Sequence, residues 1–157
     1  MELVRYTTGR GDKASVGVRG SDGSLRRVAG SMCELLRLPR NDLRRLLESA
    51  DGDTEQASVR LLPPVDGVTE VWAAGVTYQR SREGRTAESA VRDVYDRVYD
   101  AQRPELFFKS PAWRVCGPDE PIGIRADSAI DVPEPELAWI LNSAAELVGL
   151  TVCNDVS

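Results

Sequence analysis

Asp131-Val-Pro-Glu-Pro-Glu-Leu-Ala-Trp-Ile-Leu141, followed by Thr151-Val-Cys-Asn-Asp-Val-Ser157, decides how this chain is read. Successive side chains of an extended strand point to opposite faces, so Glu134 and Glu136 project to one side. Asp155, at the end of a second apolar run, is placed to add a third carboxylate. Three hard anionic oxygens without imidazole or thiolate suit Mg²⁺ or Mn²⁺ better than zinc or copper. The bland alternative for any Glu-x-Glu pair is a solvated strand face, and acid-x-acid spacing recurs at Asp51/Asp53 and Asp53/Glu55. Pro133 and Pro135 separate the first case from the others. They remove ladder donors and stiffen the backbone, which confines the acids to the start or edge of a strand that then turns apolar.

Working outward, Leu147 to Cys153 pairs with Glu136 to Leu141 as a hairpin around Asn142-Ser-Ala-Ala. Upstream, Leu106-Phe-Phe-Lys109 reads as a strand, and so does Val71-Trp-Ala-Ala-Gly-Val-Thr-Tyr78. Between them, Val91, Val94, Tyr95, Val98 and Tyr99 form one apolar helical stripe. At the N-terminus, Leu3 to Tyr6 and Ala14 to Val18 read as short strands, and Ser21-Asp-Gly-Ser as a turn. Ser31 with Glu34 has the spacing of a capping box, and Leu43, Leu46 and Leu47 recur at helical spacing beyond a break at Pro39. A boundary at Pro63 divides the chain into a small β-rich domain, 1–63, and a second unit, 64–157. The fold class expected is α+β. A strand ending near Asp155 without evident partners leads to the expectation of a chain shortened at its C-terminus.

Composition narrows the function classes. A net charge of -5 and a pI near 4.9 argue against nucleic acid or an anionic membrane surface as partner. No apolar stretch approaches the roughly eighteen residues needed to span a bilayer, and no leader precedes Leu3, so a cytoplasmic location is expected. The three cysteines, Cys33, Cys116 and Cys153, are widely spaced, each follows an apolar residue, and buried free thiols are expected. Histidine is absent, which excludes a histidine base, nucleophile or ligand. Arg10-Gly-Asp12 reads as a turn rather than an adhesion motif, and Asp51-Gly-Asp-Thr-Glu55 as a linker lacking the closing ligands of a calcium loop.

Four blocks in order, Trp72-Ala-Ala-Gly-Val-Thr-Tyr78, Pro104-Glu-Leu-Phe-Phe-Lys109, Pro133-Glu-Pro-Glu-Leu-Ala138 and Val148-Gly-Leu-Thr-Val-Cys-Asn-Asp-Val-Ser157, resemble the fumarylacetoacetate hydrolase family. The resemblance covers residues 60 to 157 and implies a mixed β-sandwich or β-roll catalytic domain, of which 64–157 would be the first part. It implies Mg²⁺ or Mn²⁺ held by Glu134, Glu136 and Asp155, and a homodimer. Hydrolases of the family carry a histidine shortly after the tyrosine of the first block; here Ser81 and Gly84 stand in that place. Val76 to Arg82 and Tyr99 to Lys109 are most similar to the sugar-acid branch, the 2-keto-3-deoxy-pentonate (arabinonate) dehydratases.

The chemistry implied is dehydration of a 2-keto acid. A cation chelated by the carboxylate and keto oxygens acidifies C3, and the resulting enolate expels the C4 hydroxyl as water. Glu88 or Lys109 would be the base, although a first-turn glutamate and a strand-end lysine are equally ordinary features. Arg82 or Arg114 would clamp a substrate carboxylate, or be surface arginines; Tyr78 would line the pocket or close the core. The rivals are hydrolysis or decarboxylation of acylpyruvate-like diketo acids, and an inactive fragment.

Overall fold

The computed structural model describes residues 1–9, 11, 13–51, 54–55, 58–79 and 92–156. They are strand-rich with few helices, an α+β arrangement as expected, and they group into two units: Met1–Thr69 with Ala112–Ser157, and Glu70–Pro111. This division differs from a single cut at Pro63, because the hairpin of residues 133–156 is anchored to the N-terminal sheet and its helices.

The first unit is built on five antiparallel strands in the order β4-β3-β2-β1-β5, with β1 Glu2–Thr7, β2 Ser15–Arg19, β3 Leu25–Val28, β4 Thr54–Glu55 and β5 Arg60–Leu62. The turn between β2 and β3 is the one read from Ser21-Asp-Gly-Ser. Gly23 adopts φ 83°, open to glycine at no steric cost, and the Asp22 carboxylate accepts the Ser24 N–H at 3.0 Å. Val16, Val18 and Val28 bury their side chains against Met32, Leu35 and Leu36 of the α1 region (α1, Met32–Leu35) and Leu43 and Leu47 of α2 (Arg40–Glu48).

The capping box forms as its spacing predicts. The Ser31 hydroxyl accepts the Glu34 N–H, and the Glu34 carboxylate accepts the Ser31 N–H at 2.7 Å. A further partner of this helix end comes from far along the chain. Asp66 accepts the N–H groups of Met32 at 3.2 Å and Cys33 at 2.7 Å while it pairs with Arg5 at 3.2 Å, tying α1 to β1. Pro39 opens α2, where its fixed φ and missing N–H cost nothing.

The first unit also holds a two-stranded ribbon, β8 (Pro133–Leu141) paired antiparallel with β9 (Leu147–Val156). Its turn docks on the helices. Ser143 donates its N–H to the Leu36 carbonyl at 2.9 Å, and buried Asn142 donates its amide to the Leu38 carbonyl at 3.0 Å. Glu146 accepts the Arg40 N–H at 2.8 Å, serving as a cap for α2 that no local sequence pattern supplies. Near this end Ile140 and Val148 pack against the core, and Val148 is the extra residue of a bulge opposite Ile140 and Leu141.

The second unit pairs β6 (Glu70–Ala74) with β7 (Leu106–Pro111) and includes helix α3 (Arg92–Tyr99). Trp72 and Phe108 meet edge to face at 6.1 Å. Strand β6 ends at Ala74, four residues short of Tyr78: Gly75 donates its N–H to the Glu105 carbonyl at 2.8 Å, and Val76 turns to φ 48°. A β-branched residue in the left-handed region is costly, and it breaks the strand.

Candidate metal centre

Each of the three predicted ligands owes its position to the pairing of β8 with β9. Glu134 lies directly opposite Asp155, and Glu136 directly opposite Cys153. Directly opposed residues share a face, so Glu134, Glu136, Cys153 and Asp155 form one contiguous patch. Glu134, Glu136 and Asp155 are half-buried, whereas Pro133, Pro135 and Leu137 on the reverse face are exposed. The period-two reading of Glu-x-Glu therefore matches the strand that forms.

Electrostatics show the same juxtaposition. Burial pushes the Cys153 thiol above its ordinary pKa, and the Glu136 and Asp155 carboxylates push it further, since a thiolate between them would be repelled. Cys153 was expected to be buried. It is exposed, as is Cys116, and Cys33 is half-buried, because Cys153 lies on the open end of the ribbon rather than in the core.

The donor chemistry fits a hard divalent cation: like charges directly opposed on a ribbon are destabilising, and a cation between them removes that cost. The side chains as they stand are spread. Among the described residues, no three His, Cys, Asp or Glu side chains converge closely enough to hold a metal. The ribbon fixes which carboxylates share the face.

The other predicted site residues fall into three groups. Glu88 and Arg82 lie outside the described residues. Lys109 and Tyr78 belong to the second unit. Val71 pairs with Ser110 and Trp72 with Phe108, so half-buried Lys109 is the extra residue of a β-bulge, a device that re-aims a side chain. Tyr78 is exposed. Arg114, in the 3₁₀ turn Ala112–Arg114 of the first unit, is exposed and stacks its guanidinium 4.7 Å above the Trp113 ring. An open cleft of about 490 Å³, lined by Thr7, Thr8, Gly9, Ser58, Val59 and Arg60, includes none of these residues. Sequence reading missed Cys153 as a neighbour of the acids; the period-two rule applied to Cys153 and Asp155 would have found it.

No family model matches the chain. It is 40% identical over 158 residues to a probable 2-keto-3-deoxyxylonate dehydratase of Haloferax volcanii, covering 98% of this chain and 54% of that protein. It is 41% identical over 103 residues to the 2-dehydro-3-deoxy-D-arabinonate dehydratase of Saccharolobus solfataricus, covering 63% of this chain and 34% of that one. Among solved structures, 2-keto-3-deoxy-D-arabinonate dehydratase complexed with magnesium and 2,5-dioxopentanoate superposes with a TM-score of 0.73 at 30% identity, covering 100% of this chain and 56% of the other. Its apo form gives a TM-score of 0.72. The chain spans about half the length of the first relative and of these structures, and along nearly all of that span it is similar, in sequence and in fold, to 2-keto-3-deoxy sugar-acid dehydratases.

Proposed function

We propose that this chain carries the metal-binding part of a divalent-metal-dependent dehydratase acting on a 2-keto-3-deoxy sugar acid. The observation that carries the reading is the register that sets Glu134 opposite Asp155 with Glu136 on the same face. The likeness to dehydratases, one of them complexed with magnesium, supports it. Within this reading the chain is a member of the fumarylacetoacetate hydrolase family, with residues 1–63 as its small N-terminal domain and 64–157 as the first part of a mixed β-sandwich or β-roll catalytic domain. Homodimer formation rests on the resemblance, and a cytoplasmic location on the sequence, in which no apolar stretch approaches the length needed to span a bilayer. For the membrane, the observation is that no described helix is long and apolar enough to cross one.

Glu134, Glu136 and Asp155 would hold Mg²⁺, or Mn²⁺ in its place, through carboxylate oxygens. When bound, such an ion supplies Lewis acidity toward the carboxylate and keto oxygens of a 2-keto acid. Lys109 or Glu88 is the proposed acceptor of the C3 proton. The bulge at Lys109 supports the former, since it sets that side chain out of the regular alternation of β7, and as base it would act through its neutral amine. The electron pair of the broken C3–H bond would form the C3–C4 double bond as the C4–O bond breaks, and the proton taken by the base would pass to the departing hydroxyl, which leaves as water. Arg114 and Arg82 are proposed to orient the substrate carboxylate through bidentate hydrogen bonds, and Tyr78 to line the substrate side.

The test is thermal unfolding of the 157-residue protein with and without millimolar Mg²⁺ or Mn²⁺ and pyruvate. An ion at a hundred times its dissociation constant stabilises the native state by about 2.7 kcal/mol and raises the midpoint. Glu136→Ala removes that rise. A midpoint that ignores both metals in the unsubstituted protein would overturn the site.

A further inference from the structure

The reverse face of the β8–β9 ribbon has the chemistry of a buried surface and is open to solvent. Its opposed pairs are Leu137 with Val152, Trp139 with Leu150 and Leu141 with Leu147, and from Pro133 to Val156 no charged side chain lies on that side. Leu137, Trp139, Leu150 and Val152 are each half or more exposed. Single exposed leucines are ordinary, but a contiguous uncharged patch marks a surface that something else covers. Among the described residues this sheet holds two strands, and a two-stranded hairpin is marginal unless its apolar face packs on a further element. The docked turn at Asn142, with Ile140 and Val148, secures one end of the ribbon and leaves this face uncovered.

The relatives point to the occupant. This chain matches little more than half of the magnesium-bound dehydratase and of the Haloferax protein, so each carries nearly as much polypeptide again beyond the matched part. We propose that the face formed by Leu137, Trp139, Leu150 and Val152 is the docking surface for that other portion of the dehydratase fold, which lays an apolar sheet face against it. Two sheets that pack in this way share one core, and the ribbon becomes one of its layers. A second copy of this chain would bring only another two-stranded ribbon, whereas the dehydratases hold the additional polypeptide within one chain. The inference rests on the dehydratase reading above and adds a role for the side of the ribbon away from the acids. Cover on the apolar side pins the register of β8 on β9, the register that sets Glu134 opposite Asp155.

The experiment compares the 157-residue protein with a hybrid in which these residues replace the matched part of the solved dehydratase. Subtracting the Trp139→Phe variant of each isolates the fluorescence of Trp139 from that of the other tryptophans. In the hybrid, Trp139 should emit at shorter wavelength and be quenched severalfold less by acrylamide. Leu150→Asp should lower the hybrid's unfolding midpoint by roughly 5 °C or more and shift that of the 157-residue protein by no more than about 2 °C. Benzoylphenylalanine at position 152 of the 157-residue protein should also crosslink to the other portion of the dehydratase made separately, while the same probe at exposed position 27 should not. A folded hybrid with Trp139 fully quenched and no response to Leu150→Asp would overturn the proposal, as would an unfolded hybrid together with no crosslink from position 152. A concentration-dependent loss of stability in Leu150→Asp of the 157-residue protein would assign the face to a second copy and also overturn it. Adding Mg²⁺ to the hybrid separates this inference from the metal reading. A midpoint raised by Mg²⁺ with Trp139 still exposed keeps the metal site and discards the docking surface, and a protected Trp139 without a Mg²⁺ response does the reverse.

Discussion

In the N-terminal sheet, Val16 and Val18 are 2% and 0% exposed beneath the helices; in the β8–β9 ribbon, Trp139 and Val152 are 68% and 81% exposed. Val16 and Val18 share one face of β2, and β8 alternates exposed and half-buried along its length. On the reverse face of the ribbon, Leu137 opposes Val152, Trp139 opposes Leu150 and Leu141 opposes Leu147, a continuous apolar surface. Alternation thus settles which residues share a face, and a separate element must arrive to cover it. The N-terminal sheet has α1 and α2 for that purpose, and the ribbon has a docked turn at one end and carboxylates at the other. The buried core lies where the helices pack, and the proposed metal ligands lie where they do not.

The largest effect expected from this contrast is in the core. Leu43→Ala should cost about 2–5 kcal/mol in denaturant unfolding, as deletion of a buried leucine does. A loss below about 1 kcal/mol would show that the helices do not close the N-terminal sheet. Next comes the joint between the two regions. Asn142→Ala removes a buried amide that donates to Leu38 and to Glu146 and accepts from the N–H groups of Ala144 and Glu146. About 1–3 kcal/mol should be lost, the cost of stranding such partners. If ribbon and core are one cooperative body, the loss appears in a single transition; two transitions in Asn142→Ala would separate them.

Glu146 sharpens the same joint through pH. The Arg40 N–H and the Asn142 amide hold its carboxyl below the ordinary glutamate range. A group whose folded pKa is depressed contributes stability fully above its unfolded value, and that contribution drains away as pH falls through the folded one. Glu146→Gln should therefore flatten the acid limb of the stability profile below the ordinary glutamate pKa. An unchanged acid limb would detach the carboxylate from the docking. Smallest of all should be Leu150→Thr on the apolar reverse face, within about 0.5 kcal/mol of the unsubstituted protein in dilute solution. A loss of 2 kcal/mol or more there would mean that something covers the face after all, and a dependence on protein concentration would identify it as a second copy.

Much of this was legible in the sequence because it depends on local rules. The capping box at Ser31 and Glu34, the break at Pro39, the turn at Gly23 and the shared face of Glu134 and Glu136 follow from spacing, from proline and glycine chemistry and from the strand period. What was not legible depends on residues far apart in the chain. Asp66 reaching α1, Glu146 capping α2 and Cys153 facing Glu136 each require a register or a docking that no short window contains. The early end of β6 has a third cause, since Val71 to Tyr78 is strand-like throughout until Val76 takes a conformation that β-branched residues avoid.

The period of two in β8 also governs how this stretch can change over time. Ile140, which anchors one end, and Glu136, a proposed metal ligand at the other, lie on the same face because an odd number of residues, Leu137 to Trp139, separates them. Deleting any one of those three turns the acids to the opposite side if Ile140 keeps its anchor, or pulls the anchor out if the acids keep theirs. Substitutions across the interval are cheap, and insertions or deletions of a single residue are not. Among natural variants of this chain, the segment from Glu134 to Ile140 should drift freely in identity at its outward positions while its length stays fixed.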